Sequence, residues 1–313
     1  MEKKIWQQNI PDDGTLLHRL QKPAGRVDVV LDTDTYNEID DQFALSYLLR
    51  NEEKLCVQAI YAAPFFNEKS ESPKDGMEKS YAEILTLLAL LGREDLKPRV
   101  FQGSAHYLHD EETSVPSPAA YDLAERAMRY TEENPLYVIA IGAITNVASA
   151  ILMNPAIRAR IVVIWLGGNA MHWPDNREFN IAQDVAAGRI LFGCGVPLVQ
   201  LPCMGVVSAF TVSEPELRRY FLGKNALCDH LATYAIEEGR RTASSETWTR
   251  VIWDVTAVAW LLDGDFLCDT LMHSPIPQYD HTWASSSTRH LIRYVYAVHR
   301  DRLLADLVHK LEK

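Results

Sequence analysis

The chain has 313 residues and 47% of them are apolar, which allows a large buried core and excludes a disordered chain. Its 31 basic and 42 acidic residues leave a formal charge of −11, a sign that disfavours nucleic acid and anionic membrane as partners. No apolar run is long enough to span a membrane, and "MEKKIWQQNIPDDG" lacks the apolar centre of a signal peptide, so a cytoplasmic protein is expected.

Residues 1–25, with Pro11, Gly14, Pro23 and Gly25, read as an irregular extension that wraps the surface or meets another subunit. From residue 26 onward, short apolar runs alternate with helical patterns. "RVDVVLD" (26–32) predicts a strand and "DQFALSYLLRN" (41–51) a helix with Phe43, Ala44, Tyr47 and Leu48 on one stripe. "LCVQAIYAA" (55–63) is a strand, "SYAEILTLLALLG" (80–92) a helix closed by Gly92, and "RVFQG" (99–103) a short strand. "SPAAYDLAERAMRYTEE" (117–133) is a helix, "PLYVIAIG" (135–142) a strand and "TNVASAILMN" (145–154) a helix. "RIVVIWLGG" (160–168) and "PLVQLPC" (197–203) are strands, with the helix "DVAAGRILFGCG" (184–195) between them. Beyond residue 212 the pattern is mainly helical, in "EPELRRYFLG", "ALCDHLATYAIEEGRR", "VIWDVTAVAWLLD" and "RDRLLADLVHKLEK".

This alternation implies a single α/β domain over 26–313, with a Rossmann-like, open, mostly parallel sheet and helices on both faces. Ligands bind such sheets at the carboxyl ends of the strands. The candidate walls of a site are therefore the loops 32–41, 62–70, 103–118, 141–145 and 167–183. The five cysteines, Cys56, Cys194, Cys203, Cys228 and Cys268, lack a CxxC pair and read as reduced, mostly buried thiols.

The first of these loops holds five acids in ten positions: Asp32, Asp34, Glu38, Asp40 and Asp41. Asp40 and Asp41 suit the positive start of a helix, and for a single acid that role suffices. For five it does not, because the remainder only repel. A hard divalent cation such as Ca²⁺ or Mg²⁺ takes carboxylate and carbonyl oxygens and relieves the repulsion. It also acidifies a bound water, and a spare carboxylate beside it can remove the proton.

"LDTDTYNEIDDQFAL" resembles the N-terminal signature of the nucleoside hydrolases, the inosine–uridine-preferring nucleoside N-ribohydrolase family, whose usual form is D-x-D-P-G-x-D-D-x-x-A. Other landmarks follow in family order. "AIYAAPFFNEK" resembles the second strand and its Asn-bearing loop, and "VIAIGAITNVASAI" the "TGxLTNxA" segment. "VVIWLGGN" and "REFNIAQD" resemble the "MGG" and "EFN" motifs, and "WDVTAVA" the late segment with a metal-binding Asp. The resemblance spans residues 26 to 265.

The resemblance implies Ca²⁺ as cofactor, a ribonucleoside as substrate and a homodimer or homotetramer as assembly. Asp34, Asp41, Asp254 and the main-chain carbonyl of Ile141 match the metal ligands, and Asp32 an acid behind them that orients the ligands. Asp40 matches the general base for the water that attacks C1′ of the ribose, through a transition state resembling an oxocarbenium ion. Glu178 and Asn180 match ribose-binding residues, and Asn67 a further polar contact. The remaining ribose Asn is either Asn169 or Asn176.

The chain also departs from the family pattern. The loop between DxD and DD is two residues longer, lacks Pro-Gly, and leaves Glu38 without a role. Trp253 stands where many members carry a His that protonates the leaving base. Trp cannot do so, but it can stack on a base, which points toward a purine preference. After the third strand, Tyr107 and His109 replace a His-Gly-rich stretch, and His109 is a candidate to face the nucleobase, with His172 and Trp173 as rim candidates.

Two other readings fit the acidic loop. "VVLDTDT" also suits a haloacid-dehalogenase-like Mg²⁺ phosphatase, with Asp32 as nucleophile and Asp34 as acid/base. A non-catalytic nucleoside- or sugar-binding protein would use the same ligands without needing Asp40 as a base.

Overall fold

The computed structural model describes residues 4–8, 10–262 and 264–313. Its strands are β1 (Val27–Thr33), β2 (Leu55–Ala62), β3 (Val100–Gln102), β4 (Leu136–Ala140), β5 (Ile161–Leu166), β6 (Leu198–Leu201), β7 (Thr211–Ser213), β8 (Thr249–Val251), β9 (Leu267–His273), β10 (Ile276–Pro277), β11 (Trp283–Ala284) and β12 (Leu291–Val298). Its α-helices are α1 (Asp13–Arg19), α2 (Ile39–Leu49), α3 (Pro73–Leu90), α4 (Pro118–Arg126), α5 (Thr145–Met153), α6 (Phe179–Gln183), α7 (Val185–Gly193), α8 (Glu214–Tyr220), α9 (Ala226–Thr242), α10 (Val255–Trp260) and α11 (Arg300–Leu311).

The unbroken apolar runs form the interior strands, because helices cover both sides of the sheet and no face needs polar residues. Every side chain of β4 and β5 is buried. In β1, Val29 and Leu31 enter the core on one face and Val30 the core on the other, as the two-residue period of a strand requires. The eight strands lie in the order β3-β2-β1-β4-β5-β6-β12-β9. All neighbours are parallel except β12 and β9.

From β1 the chain runs outward through β2 to β3, then returns to the other side of β1 and continues through β4, β5 and β6. The reversal opens a crevice above the carboxyl ends of β1 and β4, the switch point at which open α/β sheets bind ligands. The register there is tight: Asp32 pairs with Ala140, and the Ile141 N–H donates to the Asp32 carbonyl at 2.9 Å.

Helix α2 is buried along its whole length and not on one stripe, because it is packed against both the sheet and α10. Helix α3 begins seven residues before its expected start, at Pro73, after Ser72 caps it by accepting the Asp75 N–H at 3.1 Å. It closes as expected at Gly92, whose φ of 65° is glycine territory.

Two regions differ from expectation. The segment 1–25 is not irregular throughout: α1 forms because Asp12 accepts the Thr15 N–H at 3.0 Å and because Leu16 and Leu20 are fully buried. Trp6 is buried as well, its indole N–H bonded to the Glu111 carbonyl at 2.7 Å, while residues 1–3 and 9 lie outside the described residues. In the C-terminal part, α8, α9, α10 and α11 form as expected, but β9 and β12 also complete the sheet. Their sequences, "LCDTLMH" and "LIRYVYAV", mix polar and apolar residues, so no apolar run marks them. The five cysteines are free; Cys194, Cys203 and Cys228 are buried and the other two half-buried.

Candidate active site

A cavity of about 400 Å³ opens at the switch point. Four aspartates line it: Asp34 just beyond β1, Asp40 and Asp41 in the first turn of α2, and Asp254 at the N-cap of α10. None is more than 3% exposed. Asp40, Asp41 and Asp254 bring oxygens within 4.8 Å of one another. Burial, reinforced by neighbouring negative charges, pushes all four carboxyls above the ordinary range, Asp40 to about 7.

Both oxygens of Asp34 and one of Asp40 are buried without a hydrogen-bond partner. Orphaned acceptors on buried anions are costly unless something positive sits between them. The donor set is entirely oxygen, which suits a hard divalent cation. The Ile141 carbonyl, also on the wall, accepts one bond from Asn180 Nδ2 at 3.2 Å and keeps a second lone pair. The residues present therefore fit a cation, and Thr33 steadies one of them by donating its hydroxyl to Asp41.

Gly142 sets how closely β4 approaches this group. A Cβ there would stand 2.9 Å from Asp34 Oδ1 and 3.1 Å from the Ala63 Cβ, both fixed in the core. Gly142→Ala is expected to displace Asp34 and weaken divalent-cation affinity about tenfold. Calorimetric titration with Ca²⁺ checks this, and an unchanged affinity would separate Asp34 from the cation.

Asp32 is fully buried and is not on the cavity wall. Asn146 Nδ2 donates to it at 2.8 Å, and burial pushes its carboxyl to about 7. It can orient its neighbours but cannot reach a substrate, which removes the phosphatase reading that made it the nucleophile.

Asn180, from α6, joins the ends of two strands by donating to Ile141 O at 3.2 Å and Leu166 O at 3.0 Å. Glu178 caps α6, its carboxylate accepting N–H groups from Gly168 at 2.7 Å, Asn180 at 2.8 Å and Ile181 at 3.1 Å. Both line the cavity, so the helix-capping role and a ligand-facing position coexist. Of the two candidates Asn169 and Asn176, Asn169 is on the wall, and Asn176 stands behind it, accepting its N–H at 2.8 Å. Trp283, on β11, donates to the Asn169 carbonyl at 3.0 Å and holds the same loop.

Asn67 and the half-buried Trp253 are on the wall as expected. His109 is not: it is exposed and lies outside the cavity lining. The adjacent Leu108 is buried and its N–H is tied to Asp184 at 2.9 Å, which turns the next side chain to solvent. His172 and Trp173 are exposed and off the wall too.

Other lining residues went unrecognised in the sequence. Cys203 and Met204 follow β6, where the carboxyl-end rule would have found them. The Cys203 thiol hydrogen-bonds Glu178, and burial keeps it protonated. Asn37 and Glu38, from the longer loop, also face the cavity, and Asn37 Oδ1 accepts Asn67 Nδ2 at 2.7 Å.

Comparison with known proteins fits this geometry. The family model of the inosine-uridine preferring nucleoside hydrolases matches residues 29–304. A pyrimidine-specific ribonucleoside hydrolase of Escherichia coli is 30% identical over 195 residues, covering 55% of this chain and 58% of that protein, so the alignment reaches little more than half of the relative. A protein of the same description from Salmonella paratyphi A is 26% identical over 259 residues, covering 75% and 79%. Among solved structures, a purine-preferring ribonucleoside hydrolase from Gardnerella vaginalis superposes with a TM-score of 0.73 at 20% identity, over 91% of this chain and 98% of that one. A plant nucleoside hydrolase superposes with a TM-score of 0.70 at 18% identity, over 91% and 99%. At these identities the superpositions speak for the fold. The family match runs from the middle of β1 to α11 and takes in the acidic loop, the Asn180 helix and Asp254, and the chain belongs to the inosine-uridine preferring nucleoside hydrolase family.

Proposed function

We propose that the protein hydrolyses the N-glycosidic bond of ribonucleosides to ribose and free base, with Ca²⁺ as its cation. The observation that carries this reading is the buried set of four carboxylates with orphaned oxygens, one of them poised near neutral pH. Asp34, Asp41, Asp254 and the Ile141 carbonyl would hold the ion, and Asp32 would keep the strand end in place. A bound Ca²⁺ supplies Lewis acidity toward a water and toward vicinal hydroxyls. Asp40 takes the proton from the attacking water, whose oxygen bonds to C1′ as the C1′–N bond breaks. The bonding pair leaves with the base, and the departing nitrogen takes up a proton. The nearby carboxylates favour the positive charge that develops on the sugar. Asn180, Glu178, Asn169 and Asn67 supply the polar contacts that orient the ribose.

Trp253 sets the expectation for the base. Its indole lines the cavity, and stacking favours the larger purine ring. Relatives named for pyrimidine specificity and for purine preference both occur, so the base is decided by experiment. Free ribose is measured after incubation with inosine, adenosine, uridine and cytidine, with and without a chelator. Release that the chelator abolishes supports the function, and no release from any nucleoside would sink it. Trp253→Ala is expected to raise KM for purine nucleosides about tenfold, with a smaller effect on pyrimidines. An equal change for both would remove Trp253 from base recognition.

A further inference from the structure

Glu38 belongs to the segment 35–39 by which this chain departs from its family's signature, and the proposed chemistry does not use it. It occupies the N-cap position of α2, yet its side chain makes no capping bond. Its Oε2 instead accepts from Arg250 Nη2 at 3.0 Å. The partners are 212 residues apart in sequence.

Their neighbours give this contact its meaning. Glu38 stands two residues before Asp40 and three before Asp41, and Arg250 four before Asp254. The ion pair therefore joins the two pieces of chain that supply all four carboxylates. Ionised carboxylates on those two pieces repel each other until a cation sits between them. The eight-stranded sheet holds the first piece through β1. It does not hold β8, which belongs to a separate two-stranded sheet with β7. Just beyond β8 the chain is tied by the Ile252 N–H to Phe210 O at 3.0 Å. Arg250 is mostly buried, its side chain 16% exposed, so the tie is shielded from solvent on one side.

We infer that the Glu38–Arg250 ion pair is a clamp that sets the spacing of the two halves of the cation site and so raises cation affinity. The inference rests on the reading that the four carboxylates hold a cation. Glu38 and Arg250 are positioning residues under it, since neither ligates the ion.

Two explanations of any mutant effect give opposite signs. If the pair acts only through its field, removing the Arg250 charge strengthens cation binding and removing the Glu38 charge weakens it. If it is a clamp, both removals weaken binding, and removing both costs no more than removing one. The experiment is calorimetric titration of the full chain with Ca²⁺ alone, after chelator treatment and dialysis. It compares the wild type, Glu38→Gln, Arg250→Gln, their combination, and the swap Glu38→Arg with Arg250→Glu. A clamp predicts about tenfold weaker binding for each single variant, the same for the combination, and partial recovery in the swap. Opposite signs for the two single variants, or losses that multiply in the combination, overturn it. Circular dichroism and thermal melting check folding, and Arg250→Lys, which keeps the charge, is expected to fall between wild type and Arg250→Gln. Wild-type binding as tight as Arg250→Gln also overturns the clamp. A wild type that takes up no Ca²⁺ overturns the proposed function as well, so the two failures are distinct.

Discussion

Asp40→Asn is expected to lower kcat for nucleoside hydrolysis by about 10³-fold while leaving nucleoside binding and Ca²⁺ affinity largely intact. The substitution keeps size and shape in a site that is 3% exposed, so packing should survive. What it removes is the ability to take a proton, and among the described residues no other lining group outside the proposed ligand set has a buried carboxylate oxygen without a partner. It also removes one negative charge from a group of four, so the chelated variant should melt no lower than the chelated wild type. A variant that loses turnover and keeps both its fold and its ligands assigns Asp40 to chemistry. Undiminished turnover would end the mechanism, and a wild type that binds nucleosides without releasing ribose would make the protein a binding module.

Removing the cation is expected to have the other large effect, and its dependence on pH follows from the carboxyls. Asp32 and Asp40 are pushed to about 7 in the fold, and Asp34, Asp41 and Asp254 are pushed up as well. In the unfolded chain these groups titrate near 4. Between about pH 4 and 7 the folded, cation-free protein therefore binds more protons than the unfolded chain, and its stability falls as pH rises. The chelated protein should gain several degrees of melting temperature when taken from pH 8 to pH 6. A bound cation replaces those protons, so the stabilisation that Ca²⁺ confers should be larger at pH 8 than at pH 6. Melting curves with chelator and with saturating Ca²⁺ at both pH values test this. A Ca²⁺ stabilisation that is the same at the two values would mean the ion binds without displacing protons and is held elsewhere.

The parts of the site that were legible in the sequence share one property: they sit at fixed spacing beside a strand end or a helix start. Asp34, Asp40 and Asp41 could be read from one loop, and Asn180 and Asp254 from short motifs that open α6 and α10. What could not be read depends on encounters between distant segments. Nothing local in "TRVIWD" says that Arg250 meets Glu38, and Glu38 alone looks like surplus charge. His109 failed for a similar reason, since the neighbouring Leu108 is drawn into the core and only the packed structure decides which of two adjacent residues faces out. Asn169 and Asn176 are seven residues apart in one irregular loop, and that loop is held in part by Trp283, more than a hundred residues later. The sheet shows the same division. Its parallel strands announce themselves as apolar runs, whereas β12 became visible only through its pairing with β6 and β9.

That late strand has a consequence for the order of events during synthesis. Six parallel strands leave the ribosome first, and until residues 291–298 emerge the open side of β6 presents bare N–H and C=O groups beside the apolar "LVQL". Such an edge invites pairing with a strand of another chain. β12 covers it, and Arg293 of that strand donates to the Leu20 carbonyl at 2.6 Å, fastening this late strand to the end of α1. A ribosome stalled before residue 291 should therefore hold a nascent chain that engages chaperones, and one stalled well past residue 313 on an added tether should release them.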